Sequence, residues 1–255
     1  MAQNIRKEIE QKLNEIETQR GVQILLAVES GSRAWGFAFP DSDYDVRFIY
    51  MRPAKDYLRL DSPRDVIEWQ LDEVLDINGW DLKKALIQFQ KGNATLFEWS
   101  NSPIVYAVRP AWEQVYAAAR NYFSVKTALY HYYGTARNTY EQYLQGDLVR
   151  YKKYFYALRP LLAARYIEQH HKPAPVLFDR LLEQELPGKL RKAIKDVLAV
   201  KTVSDEKTLN PQNPVIADFI FGELERQRTV AGQLPDDRNR DWGELNQVFL
   251  RLLTK

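Results

Sequence analysis

From Asp43 to Met51 the side chains alternate in kind, with Tyr44, Val46, Phe48 and Tyr50 on one side of an extended chain and Asp43, Asp45, Arg47 and Ile49 on the other. Only a β-strand within a sheet keeps those two sets apart, so the chain needs a sheet with one packed face and an opposite face that carries charge at one end. A mostly apolar run, Val22 to Val28, stops at Glu29, Ser30 and Gly31 and reads as a buried strand before a turn. Ser32 to Phe39 is too short for a long helix, and Pro40, Asp41 and Ser42 form a turn cluster leading into the charged strand. Pro53 to Asp65 reads as an irregular connection with a short helical piece, and Val66 to Gln70 and Glu73 to Trp80 are further strand candidates.

The period then changes. Leu82, Ala85, Leu86 and Phe89 recur at helical spacing, and long helices are expected at about 111–122, 125–145, 149–171, 190–200 and 217–227. Pro160 should kink the third of these, because it removes a hydrogen bond and crowds the preceding turn. Val203 to Pro214, polar with two prolines, reads as an exposed loop. Ahead of the first strand, Ile5, Ile9, Leu13 and Ile16 mark an amphipathic helix rather than an export signal. The expected fold is therefore α/β (α+β): a short mixed sheet with its N-terminal helix over residues 1–82, followed by an all-α helical domain over 83–255.

The composition narrows the chemistry. Cysteine is absent, which removes disulfides, thiolate metal sites and cysteine nucleophiles and suits a reducing cytoplasm. Lys and Arg number 36 against 34 Asp and Glu, so no global field draws the chain to a polyanion, and any such site has to be local. No run approaches the roughly 20 apolar residues that span a bilayer, so no membrane association is expected. The three histidines make no metal centre, and neither a P-loop nor a dinucleotide-binding glycine motif is present.

The informative stretch is ESGSRAWGFAFPDSDYDVR, Glu29 to Arg47. Gly31 and Ser32 follow a strand, where a missing side chain lets backbone N–H groups approach phosphate oxygens. Asp43 and Asp45, at i and i+2, project from one strand face about 7 Å apart. Carboxylates so placed repel unless a cation lies between them, and hard divalent ions such as Mg²⁺ prefer carboxylate oxygen while leaving positions for substrate phosphates. Either element alone is commonly a turn or a solvated acidic edge; the two in sequence are far more specific.

A Gly-Ser turn after one strand and Asp-x-Asp opening the next resembles the signature of the DNA polymerase β nucleotidyltransferase superfamily. Through GSRAWGFAFPDSDYDVRFIY, DINGWDLKKAL, EWSNSPIVY and KKYFYALRPLLAARY the chain is most similar to a predicted nucleotidyltransferase family described as the polymerase β family of an RNA repair pathway. The resemblance implies transfer of a nucleoside monophosphate from an NTP to an acceptor hydroxyl, with Mg²⁺ or Mn²⁺ as cofactor and pyrophosphate as product. It implies that Gly31 and Ser32 hold the triphosphate, that Asp43 and Asp45 bind two metals, and that a third carboxylate comes from a later strand. Asp81 is the first candidate for that carboxylate and Asp76 the second. Arg33 reads either as a phosphate contact from the turn or as a surface charge, and Arg47 as a structural ion pair with the carboxylates.

The expected third helix carries Arg150, Lys152, Lys153, Arg159 and Arg165 among Tyr151, Tyr154, Phe155 and Tyr156. Cations with aromatic rings can grip a triphosphate or a nucleic acid strand, while Phe155, Leu158, Leu162 and Tyr166 at helical spacing read as core. In related two-domain enzymes the helical domain supplies a lysine to the triphosphate, which points to Lys152 or Lys153 against a solvated face. The acceptor implied is RNA, in end repair or tailing. Nucleotidylation of a protein, as in toxin–antitoxin pairs, and a non-catalytic nucleotide- or RNA-binding module are the alternatives.

Overall fold

The computed structural model describes residues 2–38, 42–70, 74–201 and 208–254. Helix α1 (Ala2–Arg20) leads into β1 (Gln23–Glu29), the one-turn α2 (Gly31–Ala34), β2 (Tyr44–Met51), the one-turn α3 (Ala54–Tyr57), β3 (Val66–Gln70) and β4 (Leu75–Asp81). There follow α4 (Leu82–Gln90), α5 (Ala94–Ser100), β5 (Val105–Val108) and α6 (Pro110–Ala119), extended by a 3-10 turn over Arg120–Tyr122. The rest comprises α7 (Val125–Tyr143), β6 (Leu148–Arg150), α8 (Tyr151–His170), α9 (Phe178–Leu181), α10 (Gly188–Lys201), β7 (Leu209–Pro211), α11 (Pro214–Gln233) and α12 (Gly243–Leu253).

Five strands form one mixed sheet in the order β3-β4-β2-β1-β5. All its neighbours are antiparallel except β2 and β4, which run parallel with Asp45 beside Asp76 and Tyr50 beside Asp81. The alternation of β2 is realised as a two-sided strand. Val46, Phe48 and Tyr50 pack with Ile9, Leu13 and Ile16 of α1 on one face, while Ile49 joins the core on the other. An irregularity between Ile24 and Leu26 in the β1–β2 register lets both Leu25 and Leu26 enter the second core. There they meet Leu82, Ala85, Leu86 and Phe89 of α4, Trp112 and Val115 of α6, and Leu245, Val248 and Leu252 of α12.

The chain divides into two compact units, residues 1–123 with 238–255 and residues 124–237. The boundary expected at 82/83 is thereby corrected. Helices α4, α5 and α6 bury their apolar stripes on the sheet and belong with it, and the C-terminal α12 returns to the same core. The first unit is thus three layers, α1, sheet and a helical layer. Strand β5 was not expected, because as an edge strand it has no fully buried position and lacks the alternation by which a half-buried strand is read.

The second unit is helical, with α7 and α8 its closest-packed pair and the small β6–β7 ladder beside them. Pro160 lies inside α8 and does not end it. Phe155, Leu158 and Leu162 are buried as expected, and Arg159 and Arg165 are occupied as well. Arg159 donates to the Val176 carbonyl at 3.3 Å, and Arg165 pairs at 3.1 Å with Glu223, a buried carboxylate shared with Arg226. Of the loop expected at Val203 to Pro214, residues 203–207 lie outside the described residues, Leu209–Pro211 form β7 and Pro214 opens α11. The ends of this unit are clasped together. The Asp237 carboxylate accepts from Ser124 Oγ at 2.6 Å and from the Val125 N–H at 2.7 Å, at the start of α7. Among the described residues no helix is long and apolar enough to cross a membrane.

Two substitutions test this architecture. A Cβ at Gly79 would lie 2.1 Å from the ring of Phe48, its register partner on β2, so Gly79→Ala should cost about 1 to 3 kcal/mol in urea unfolding. Phe48→Leu in the same chain should recover part of that loss, whereas additive costs would mean that the ring is not what the glycine accommodates. Asp237→Ala should destabilise the second unit by about 1 kcal/mol, as loss of an external helix cap does, and speed proteolysis near residues 124 and 237.

Candidate functional site

The end of β1 and the start of β2 are bound to each other backbone to backbone and backbone to side chain. Ser30 N–H donates to the Asp45 carbonyl at 2.8 Å, and Asp45 N–H donates to Glu29 Oε1 at 2.8 Å. Glu29 is 1% exposed; its other carboxylate oxygen accepts from the Tyr106 hydroxyl and its carbonyl accepts from Ser102 Oγ at 2.6 Å. Burial pushes the Glu29 carboxyl up from the ordinary range, and the bonds from Tyr106 and the Asp45 N–H pull against that. Desolvation, with the facing carboxylate, raises Tyr106 as well.

Gly31 comes next, with φ at +61°. A Cβ there would stand 2.2 Å from Asp45 Oδ2, so a side chain is excluded twice, by backbone conformation and by the carboxylate. The Gly-Ser turn and the Asp-x-Asp strand are therefore one constellation in space. Ser32 is buried directly behind the turn.

On the other side of Asp45 lies Asp76, its register partner on β4. Arg47 joins them: one of its nitrogens is 3.0 Å from Asp45 Oδ1 and 2.7 Å from Asp76 Oδ2, while the other donates to the carbonyls of Val46 and Asp76. The ion pair expected for Arg47 with Asp43 and Asp45 is thus formed with Asp45, and its second partner is Asp76. Asp43 is exposed in the segment entering β2. Arg33 has a role that neither expected reading named. It donates to the carbonyls of Ser42 and Asp43 and stacks 3.7 Å from the centroid of the Tyr44 ring, so it holds the segment that presents Asp43.

Asp81, the first candidate for the third carboxylate, lies away from Asp45. It sits beside Tyr50, five residues along β4 from Asp76, about 17 Å away at the rise of a strand. It caps α4 by accepting from the Lys83 N–H at 2.8 Å, accepts from the Tyr57 hydroxyl at 3.0 Å and faces Arg52 at 3.6 Å. Burial raises its pKa, and these partners oppose the rise. Asp76 is the carboxylate that the sheet places beside Asp45. The alternation of β4 put Asp76 and Asp81 on opposite faces, but the parallel pairing that selects between them leaves no mark in the sequence.

Lys152 and Lys153 belong to the second unit. Lys153 Nζ lies 3.8 Å from the Tyr143 ring centroid and both lysines are 5.6 Å from that of Tyr156, so they form a cation and aromatic patch at the start of α8. Burial, with Arg150 nearby, lowers the Lys153 pKa. Glu29 and Tyr106 were not singled out from the sequence; the available signal was a carboxylate closing an apolar strand.

The donors fit a hard divalent ion. Asp43, Asp45 and Asp76 offer only carboxylate oxygen, and the missing Cβ of Gly31 lets the Asp45 carboxylate pack directly against the turn. Among the described residues no three acidic or histidine side chains already converge as ligands, and Arg47 lies between two of these.

Three comparisons bear on this arrangement. The uncharacterised protein YcgL of Bacillus subtilis strain 168 is 41% identical over 249 residues, 96% of this chain and 95% of that protein. The crystal structure of a nucleotidyltransferase-like protein from Exiguobacterium sibiricum 255-15 aligns over 88% of this chain and 74% of that one, but at 15% identity and a TM-score of 0.29, too weak a likeness to build on. The model of the RNA repair pathway DNA polymerase beta family matches residues 5–251, which takes in the sheet, the carboxylate cluster and the helical unit together. A match of that extent, on a chain whose Gly-Ser turn abuts the first carboxylate strand, makes this protein a member of the RNA repair pathway DNA polymerase beta family of nucleotidyltransferases.

Proposed function

We propose that the chain transfers a nucleoside monophosphate from an NTP to a hydroxyl of RNA and releases pyrophosphate. The observation that carries the reading is the junction of Gly31, Asp45 and Asp76, which sets two carboxylates side by side against a turn with no side chain. The family's description supports RNA as the acceptor. Divalent ions held by Asp43, Asp45 and Asp76 would supply charge stabilisation to the α-phosphate and the leaving group.

The remaining roles belong to the chain's own residues. The acceptor oxygen forms a bond to the α-phosphorus as the bond to the β-phosphate oxygen breaks, and the hydroxyl proton passes to Asp76 and on to solvent. Asp76 suits this because its side chain is 53% exposed and lies beside Asp45 in the register of β2 and β4. Arg47 keeps both carboxylates aimed by anchoring on the Val46 and Asp76 carbonyls. Arg33 keeps the Asp43 segment in place, and the backbone N–H groups at Gly31 and Ser32 would receive the triphosphate. Within the second unit, Lys152 and Lys153 with the Tyr143 and Tyr156 rings form a basic and aromatic patch suited to phosphate groups and bases of a nucleic acid strand.

The purified chain should move label from an α-phosphate-labelled NTP into total RNA in the presence of Mg²⁺ or Mn²⁺, and Asp45→Ala should cut this by about a hundredfold or more. Label entering total protein instead, or undiminished transfer by the variant, would overturn the assignment. Asp76 and Asp81 separate cleanly. Asp76→Asn should reduce turnover as strongly as Asp45→Ala, whereas Asp81→Asn should leave turnover near wild type and lower stability by on the order of 1 to 3 kcal/mol, since Arg52 loses its counter-charge. The reverse pattern in single-turnover rates and melting curves would return Asp81 to the site.

A further inference from the structure

The segment NGWDLKKAL contributes nothing to the carboxylate cluster, yet its charged residues converge elsewhere. At the far end of β2 and β4 they line a cavity of about 340 Å³. Arg52, Arg59, Arg64, Lys83 and Lys84 face it, against Asp56, Asp65 and Asp81, so cations are in excess. Most are already paired: Arg52 faces Asp81 at 3.6 Å, Lys84 is 3.0 Å from Asp65, and Arg59 bonds to Asp61. Arg64 and Lys83 have no ion-pair partner among the described residues. The Arg64 backbone is nevertheless anchored, since its carbonyl accepts from Arg52 at 2.9 Å. A site with spare guanidinium and ammonium donors over a rigid floor suits a phosphate group.

Beside it lies a second recess of about 250 Å³ with a different character, lined by Leu86, Trp242, Leu245 and Phe249. Lys83 and Ile87, one turn apart on α4, line both cavities, and Tyr57 of the first meets Phe249 of the second edge to face at 5.1 Å. Trp242 is 42% exposed there, a ring available for stacking. Spare cations next to an apolar recess with an exposed indole match the two halves of a nucleotide, and the combined size falls in the roughly 300 to 1,000 Å³ range of small-ligand sites.

We propose that these adjoining cavities form a nucleotide site distinct from the carboxylate cluster, with phosphate on Arg64 and Lys83 and the base against Trp242 and Phe249. The occupant is either a free nucleotide or one unit of an RNA strand, since both present the same phosphate and base. Asp81, about 17 Å along β4 from Asp76, marks its distance from the cluster, too far for one mononucleotide to reach both. The site stands whether or not the chain transfers nucleotides.

Titration calorimetry in EDTA, with AMP and with a six-residue oligoadenylate as separate probes, tests it without the divalent ions that the carboxylate cluster needs. At least one probe should bind the wild-type chain saturably. Binding should persist in Asp45→Ala, fall tenfold or more in the Arg64→Ala, Lys83→Ala double variant, and fall severalfold in Trp242→Ala. AMP binding as tightly as the oligomer identifies a free-nucleotide site, and binding of the oligomer alone identifies an RNA subsite. Arg64 and Lys83 are exposed side chains, so the double variant should melt like wild type. Failure of both probes to bind, equal binding by the double variant, or undiminished binding by Trp242→Ala would overturn the proposal.

Discussion

Arg47 is the interaction on which the site depends. It stands two residues from Asp45 on the same strand face and reaches across to Asp76, so one guanidinium bridges two carboxylates that the parallel pairing of β2 and β4 forces together and offsets half of their charge. With 18% of its side chain exposed, it is shielded enough that its two short contacts count for more than a surface ion pair would. Without a cation at that point the sheet would bring two like charges into adjacent register, at a cost in stability. The arrangement that makes the site electrostatically demanding is also what makes it suited to cations.

The opposite flank of Asp45 is held by shape rather than charge. Gly31 removes the atoms that would collide with the carboxylate, and Glu29 receives the Asp45 N–H from within the sheet. Glu29 is itself almost fully buried and carries Tyr106 from β5, so the edge strand is part of the support. Buried polar groups satisfied in this way restrict the site to one geometry, because any shift of β1 against β2 would strand a carboxylate in the core.

Packing explains why the first unit extends well beyond its sheet. A five-stranded sheet has two apolar faces, and α1 covers one of them. The other needs α4, α5 and α6, and it also takes α12 from the end of the chain. The second unit is accordingly an insertion whose entry and exit are tied by Asp237 at the first turn of α7. The same α12 brings Trp242 and Phe249 to the edge of the unit beside α4, which a linear division of the chain into sheet and helices would not place there.

Local periodicity was enough to determine α1, the two-sided strand β2 and the buried stripe of α4, because period 2 and period 3.6 are properties of neighbouring residues. The association of the Gly31 turn with Asp45 and the Arg47–Asp45 ion pair were also legible, since these residues lie within one short stretch and a carboxylate on a packed sheet calls for a counter-charge. Tertiary structure alone decided the rest. Whether Asp76 or Asp81 stands beside Asp45 turns on the register of two parallel strands 24 residues or more apart in sequence, and a shift by an odd number of residues exchanges the faces. Arg33 was ambiguous because its partners are backbone carbonyls, which every residue possesses. The boundary between the units followed from where apolar stripes are buried, and α12 reaches its place from more than a hundred residues away, a distance that no local pattern records.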